Sequence, residues 1–310
     1  MKYQWIAGQK GRYSQSFLCK ILQVSRSGYY RFSGKKISQN ELTLVSLIQS
    51  CRRQTGNTYG YRRIKLWLRR KHNLVINGKK LLRIMRKYQL LSVIRKRKLH
   101  KPTGKPHSIL PNLLNQKFIA QKKNRKWVTD ITYIRTPQGT LFLSAILDLF
   151  DRSIVDYRIS ASPDLNLVTS NLERACKKEK VASELILHSD QGSVYTSRIY
   201  QQLGSSYGIT FSMSRKGNCY DNIVIEGFFS ILKTESIYLN KPRTFSEARR
   251  SVKQYIHFYN NQRLQLKSGQ TPLNYFYDRA FLFFCFTFGM QCKSLRGFFF
   301  MCTYKLIYLF

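Results

Sequence analysis

At Arg125 the chain changes the kind of pattern it carries, and that break constrains the fold more than any single motif. Before it, apolar residues recur three and four apart, as on helices buried along one face. Phe17, Leu18, Ile21 and Leu22 do so, then Ile64, Trp67 and Leu68, then Leu81, Leu82, Ile84 and Met85. After it come short runs rich in β-branched and aromatic residues: WVTDITYI, LFLSAILDL, SIVDYRIS, ELILHSD and ITFSMS. Charge divides at the same place. Residues 1–126 hold 32 of the 54 Lys and Arg but only one acid, Glu41, of the 15 in the chain. The front is therefore expected to be helical and to bind a polyanion, and the rest to be an ordinary globular domain.

Within the front, residues 1–38 have the outline of a helix-turn-helix. Ser25 caps its second helix, on which Arg26 and Tyr29 are the expected DNA contacts. Residues 39–98 form a second basic helical segment, with Asn77 capping its last helix and Arg62, Arg63 and Lys65 facing DNA. The basic run Arg95 to Lys98 closes that segment. Three prolines and little periodicity mark 99–122 as a linker. Residues 123–278 read β-β-β-α-β-α-β-α, an α/β core with a mixed sheet, and close on a helix whose Thr244 and Glu247 make a capping box. Residues 279–310 are an atypical aromatic tail, read as read-through sequence. The seven cysteines show no CxxC pair, which argues against structural zinc and for reduced thiols. No signal peptide and no membrane span is expected, which places the protein in the cytoplasm.

Three acids stand out in so basic a chain: Asp130 within a strand, Asp190 at the end of another and Glu226 near the start of a helix. Carboxylates brought together from strand ends and a crossing helix suit Mg²⁺, a hard cation that takes oxygen ligands and keeps several waters. Metal in a basic protein points to phosphodiester chemistry. Lys233 lies seven residues past Glu226, two turns along the same helix face, where it can hold a DNA phosphate. Asp148 is read as structural, Asp221 as a helix cap or loop anchor, and His188 as a hydrogen-bonded core-edge residue.

The strings WVTDITY, HSDQGSVYTS, SMSRKGNCYDN, EGFFSILKTE and YIHFYNNQR, with 35 residues between Asp190 and Glu226, resemble the integrase-type core of bacterial insertion-sequence transposases. The family is the one named after insertion sequence three, of downstream-frame type. VSRSGYY and YGYRRI are similar to its helix-turn-helix segments. The resemblance implies a ribonuclease-H-like fold with a five-stranded sheet and an Asp130–Asp190–Glu226 triad. That triad would hold two Mg²⁺ ions, with Mn²⁺ able to substitute. It also implies strand cleavage and 3′-hydroxyl strand transfer at element ends. The partners implied are double-stranded terminal-repeat and target DNA, a homo-oligomer on paired ends, an upstream-frame helix-turn-helix protein, and the nucleoid as location. The alternative reading is a catalytically dead or partial element product that only binds DNA.

Overall fold

The computed structural model describes residues 2–9, 11–33, 39–94, 110–181, 184–215 and 218–275. The basic run 95–98, Pro102, Pro106 and the aromatic tail 279–310 lie outside the described residues. The chain divides into two compact units, Met1–Ser92 and Val93–Phe310. No helix among the described residues is long and apolar enough to cross a membrane.

The first unit is all helical: α1 (Lys2–Gly8), α2 (Gln15–Ile21), α3 (Arg26–Ser33), α4 (Gln39–Gln54), α5 (Tyr61–His72) and α6 (Gly78–Lys87). The caps expected at Ser25 and Asn77 form, and Ser14 supplies one that was not expected. Ser14 Oγ accepts from the Phe17 N–H, Ser25 Oγ from the Gly28 N–H at 2.9 Å, and Asn77 Oδ1 from the Lys79 N–H at 2.8 Å. Each offsets an otherwise unpaired donor in a first turn, and such a cap is worth about 1 kcal/mol. The periodic residues Ile64, Trp67, Leu68, Leu81, Ile84 and Met85 are buried, while Arg62, Lys65, Arg69 and Arg70 on the other side of α5 are exposed. Glu41, the one acid here, accepts from Lys87 Nζ at 2.6 Å and from the Tyr88 hydroxyl at 3.1 Å, tying α4 to the end of α6.

The second unit holds a five-stranded sheet in the order β3-β2-β1-β4-β5. Its strands are β1 (Lys126–Thr136), β2 (Gly139–Asp148), β3 (Ile154–Ser160), β4 (Leu185–Ser189) and β5 (Ile209–Met213). β1, β2 and β3 are antiparallel neighbours, whereas β4 runs parallel to both β1 and β5. Thr136 pairs with Gly139, so Pro137 and Gln138 make a two-residue turn, and Gly139 takes a φ of +129° that a side chain would resist. Strand alternation sorts the core into two layers. Val128, Ile134, Leu141, Leu143, Ala145 and Leu147 pack with α9 (Ile223–Leu232) and with α11 (Phe245–Asn261), which follows the short α10 (Tyr238–Asn240). Trp127, Ile146, Val155, Leu185 and Leu187 pack on the other face with α7 (Leu165–Glu179) and α8 (Arg198–Ser206).

The described part of the expected linker, 110–122, is irregular but firmly packed. Leu114 and Ala120 lie in the α9–α11 layer. The Leu113 and Leu114 N–H groups donate to Ser212 Oγ, and Asn112 Nδ2 donates to Asp221 Oδ2 at 2.8 Å. Lack of periodicity hid this because the segment buries scattered residues without forming an element.

Asp221 is the anchor. Its fully buried carboxylate accepts from Asn112, Gln116, the Arg215 N–H and the Arg215 guanidinium. Burial alone would raise its pKa, but the Arg215 guanidinium and N–H and the Gln116 amide outweigh that and hold the carboxyl well below the usual range. An acid depressed in the folded state contributes fully above its unfolded pKa of about 4 and loses that contribution as pH falls further. Asp221→Asn is expected to lower stability by about 2–4 kcal/mol at pH 7 in urea unfolding. The gap between variant and wild type should narrow as pH drops below about 4. An equal gap at pH 7 and pH 3 would remove the anchor role.

Candidate active site

Asp130 sits in the middle strand of the sheet, opposite Ala145 of β2. It shares parity with Val128 and Ile134, so its side chain leaves the sheet on the α9 face. On its other side β1 pairs in parallel with β4, the last pair being Val128 with His188. The step of 60 residues between those partners also separates Asp130 from Asp190. The same register, continued two residues, sets the two aspartates side by side just where β4 ends at Ser189. Ligand sites of α/β sheets gather at such strand C-termini.

The Asp130 carboxyl is pushed well above the usual range, by burial first and then by the charge of Asp190. The Ile131 N–H, which donates to Asp130 Oδ1 at 2.7 Å, opposes this, Glu226 adds to it and Lys233 counters it. Asp190 is raised as well, by burial, against the Gly192 N–H that donates to its Oδ1 at 2.9 Å. A Cβ at position 192 would stand 3.0 Å from that oxygen, so the glycine of HSDQGS lets the backbone close on the carboxylate. Asp130 thus feels all three of the other expected site residues.

Glu226 is exposed, one turn into α9, whose Ile225, Phe228, Phe229 and Leu232 are buried. Among the described residues, no three His, Cys, Asp or Glu side chains stand close enough to hold a metal ion. Lys233 follows α9 directly and opens a π-helical turn, Lys233–Ile237. Single π turns interrupt α-helices mostly at functional sites. Its pKa is lowered by burial, against the pull of Asp130.

The remaining candidates have structural roles. Asp148 accepts from the Asn124 and Phe150 N–H groups and from Trp127 Nε1, and burial pushes its pKa up to about 6. His188 is fully buried between Ser212 Oγ at 2.9 Å and Ser214 Oγ at 3.2 Å, and burial pushes its pKa down to about 4. It is therefore neutral at pH 7.

Among solved structures the chain is similar to the HTLV-2 integrase catalytic core domain in complex with magnesium, with a TM-score of 0.41 and 18% identity, covering 49% of this chain and 95% of that one. Family models described as an integrase core domain match residues 120–219 and 226–277, and one described as an HTH-like domain matches 39–98. The putative transposase InsK for insertion sequence element IS150 of Escherichia coli (strain K12) is 36% identical over 261 residues, covering 83% of this chain and 92% of that one. The transposase InsF for insertion sequence IS3A of the same organism is 31% identical over 245 residues, covering 77% and 84%. The chain belongs to the insertion-sequence transposases. As a member it is a DNA transposase with a polynucleotidyl-transferase type of core.

In this transposase the expected DNA contacts of the front unit separate into two groups. Arg26, Arg62 and Lys65 are exposed. Arg63 is half-buried, with its guanidinium carbon 5.6 Å from the ring centre of Tyr59, itself fully buried. Tyr29 corrects the expectation. It is buried with Ile6, Leu18 and Cys19, and its exposed neighbour is Tyr30. On a helix only two turns long, adjacent tyrosines face different sides, and the α1–α2 pair decides which one is covered.

Sequence reasoning also missed the support beneath Lys233. Glu235, in the π turn, is buried and accepts from Arg263 Nε and Nη2, both at 2.7 Å, and from the Tyr255 hydroxyl at 2.8 Å. Tyr255 of α11 and Arg263 of the loop after it thereby grip the segment that presents Lys233. The signal available was an acid, Glu235, two residues past the lysine in a chain with few acids.

Proposed function

We propose that the core cleaves DNA strands at the ends of an insertion element and joins the freed 3′-hydroxyls to target DNA, with Asp130, Asp190 and Glu226 as its metal-holding carboxylates. The observation that carries this reading is the convergence on Asp130: Asp190 beside it in register, with Glu226 and Lys233 acting on the same carboxyl. The donor set fits Mg²⁺, with Mn²⁺ as a substitute, because it is all hard oxygen. Two half-buried carboxylates held above their usual pKa also favour a cation as their compensating charge. When bound, the ion lowers the pKa of the attacking oxygen and offsets charge on the scissile phosphate.

The chain's own residues supply position. Asp130 is fixed by a central strand, and Asp190 Oδ1 is fixed by the Gly192 N–H. Lys233 holds a backbone phosphate, and neutral His188 adds no charge beneath the pair. Water attacks phosphorus as the element's 3′-oxygen leaves and takes up a proton to become a 3′-hydroxyl; that hydroxyl then attacks a target phosphate, breaking the target's own bond from phosphorus to its 3′-oxygen, which leaves with the proton. Residues 1–38 and 39–98 grip the terminal repeats through Arg26, Arg62, Arg63 and Lys65. Two ends require at least two copies of the chain, joined by an upstream-frame helix-turn-helix protein on the bacterial nucleoid.

A second reading is favoured by the exposed Glu226 and the lack of a ready three-carboxylate cage among the described residues. In that reading the chain occupies element ends without cutting them. Incubation with a duplex ending in the inverted repeat that flanks the gene, in Mg²⁺, separates the two. Nicked and joined strands are expected. DNA retained intact at every Mg²⁺ and Mn²⁺ concentration would leave the binding role alone.

A further inference from the structure

Among the described residues no strand pairs with β1 beyond Val128 on its β4 side, while β2 follows it on the other side to Thr136. The stretch past Asp130 thus has an open edge beside the paired aspartates. Tyr133 and Arg135 stand on it, both exposed, and by alternation both point to the face opposite Asp130. Lys233 comes from the α9 side, yet its Nζ lies 4.3 Å from the centre of the Tyr133 ring. The Arg135 guanidinium carbon is 5.3 Å from the same centre. One aromatic ring at the open edge therefore carries two cations.

Neither cation has a salt-bridge partner among the described residues, and Arg135 acts on Lys233 as a like charge, disfavouring its protonated form. A cation–π contact at an exposed site is weak, and a single ring does not neutralise two charges. An anion between them would relieve the repulsion. Arg in particular offers a planar fork that matches a phosphate.

We propose that Tyr133, Arg135 and Lys233 form a clamp for a DNA phosphate next to the one cut, with Tyr133 setting the spacing of the two cations. The proposal rests on the reading of Asp130 and Asp190 as the place where the strand is cut. Lys233 was expected from sequence to meet DNA. Tyr133 and Arg135 extend that contact along the strand as it leaves the carboxylates across the open edge. The ring acts as a positioning group and need not touch DNA.

The test is binding, measured where no cutting occurs. The full chain carrying Asp190→Asn is titrated with the inverted-repeat duplex at several salt concentrations. Adding Arg135→Ala is expected to weaken binding roughly tenfold at about 0.1 M salt and to flatten the log–log salt slope by about 1. Adding Tyr133→Ala should weaken binding several-fold although no charge is removed, and Tyr133→Phe should not. Neutral methylphosphonates are then placed one at a time near the cut. One position should cost the Asp190→Asn protein what Arg135→Ala costs, and cost the Arg135→Ala protein nothing more. Methylphosphonate effects that are unchanged by Arg135→Ala, or full binding by Tyr133→Ala, would overturn the clamp. Cleavage that survives Asp190→Asn would instead remove the catalytic reading and leave the binding data standing.

Discussion

Asp190→Asn is expected to leave a folded protein that binds DNA and no longer cuts it. The substitution preserves shape and removes one negative charge. Because burial raises the Asp190 pKa, the folded state already disfavours the ionised form. A neutral amide should therefore cost no stability at pH 7, and thermal unfolding should show an unchanged or slightly higher midpoint. Catalysis should respond in the opposite direction. An amide cannot supply the charge that holds a divalent cation, and losing that electrostatic stabilisation should slow strand cleavage by at least ~10³-fold, or about 4 kcal/mol. Asp130→Asn should behave alike, with a larger gain in stability, because Asp130 meets both burial and the charge of Asp190. The double variant should be little slower than either single one, since the two act as a unit. Cleavage within tenfold of wild type for either single variant would remove the paired aspartates from the chemistry.

Arg263→Met is expected to be the most destabilising change in the core unit. Arg263 and Glu235 are each about 4% exposed in their side chains and form two hydrogen bonds at 2.7 Å. Removing the guanidinium leaves a carboxylate inside with the Tyr255 hydroxyl as a donor that cannot balance its charge. Breaking one side of such a pair costs about 3–5 kcal/mol. Adding Glu235→Gln should recover much of this, because the orphaned charge is then gone. Urea unfolding of the two variants checks the order. A double variant no more stable than the single one would mean that lost packing, and not the unpaired charge, sets the cost. Strand cleavage by the double variant carries a further consequence. If the pair holds the π turn that presents Lys233, DNA binding should weaken even where stability has returned.

The paired aspartates were legible in the sequence because strands repeat every two residues and the pairing register is a constant offset. Once WVTDITY and ELILHSD read as strands, alternation decided which residues share a face with each acid. Caps were equally legible, since Ser25, Asn77 and Thr244 act on N–H groups two or three residues away. The capping box at α11 differs in one detail: Glu247 reaches back to the Arg243 N–H, one residue before the cap. Tyr29 was misplaced because two turns of helix give too few residues to define a buried face. The segment 110–122 read as a linker because its anchors, Ser212 and Asp221, lie about a hundred residues away. Glu235 was hidden for the same reason, its partners Tyr255 and Arg263 being 20 and 28 residues on.

Local chemistry, then, is what the amino-acid string by itself determined: where each helix starts, which strand faces are apolar, and which acids stand at strand ends. These depend on groups a few residues apart, whose interaction survives whatever the rest of the chain does. Tertiary structure alone decided which tyrosine of α3 is covered, how far β4 flanks β1, and which cations share the ring of Tyr133. Those outcomes turn on surfaces that meet only after the sheet and helices pack, where burial sets both the pKa of a carboxylate and the exposure of a ring.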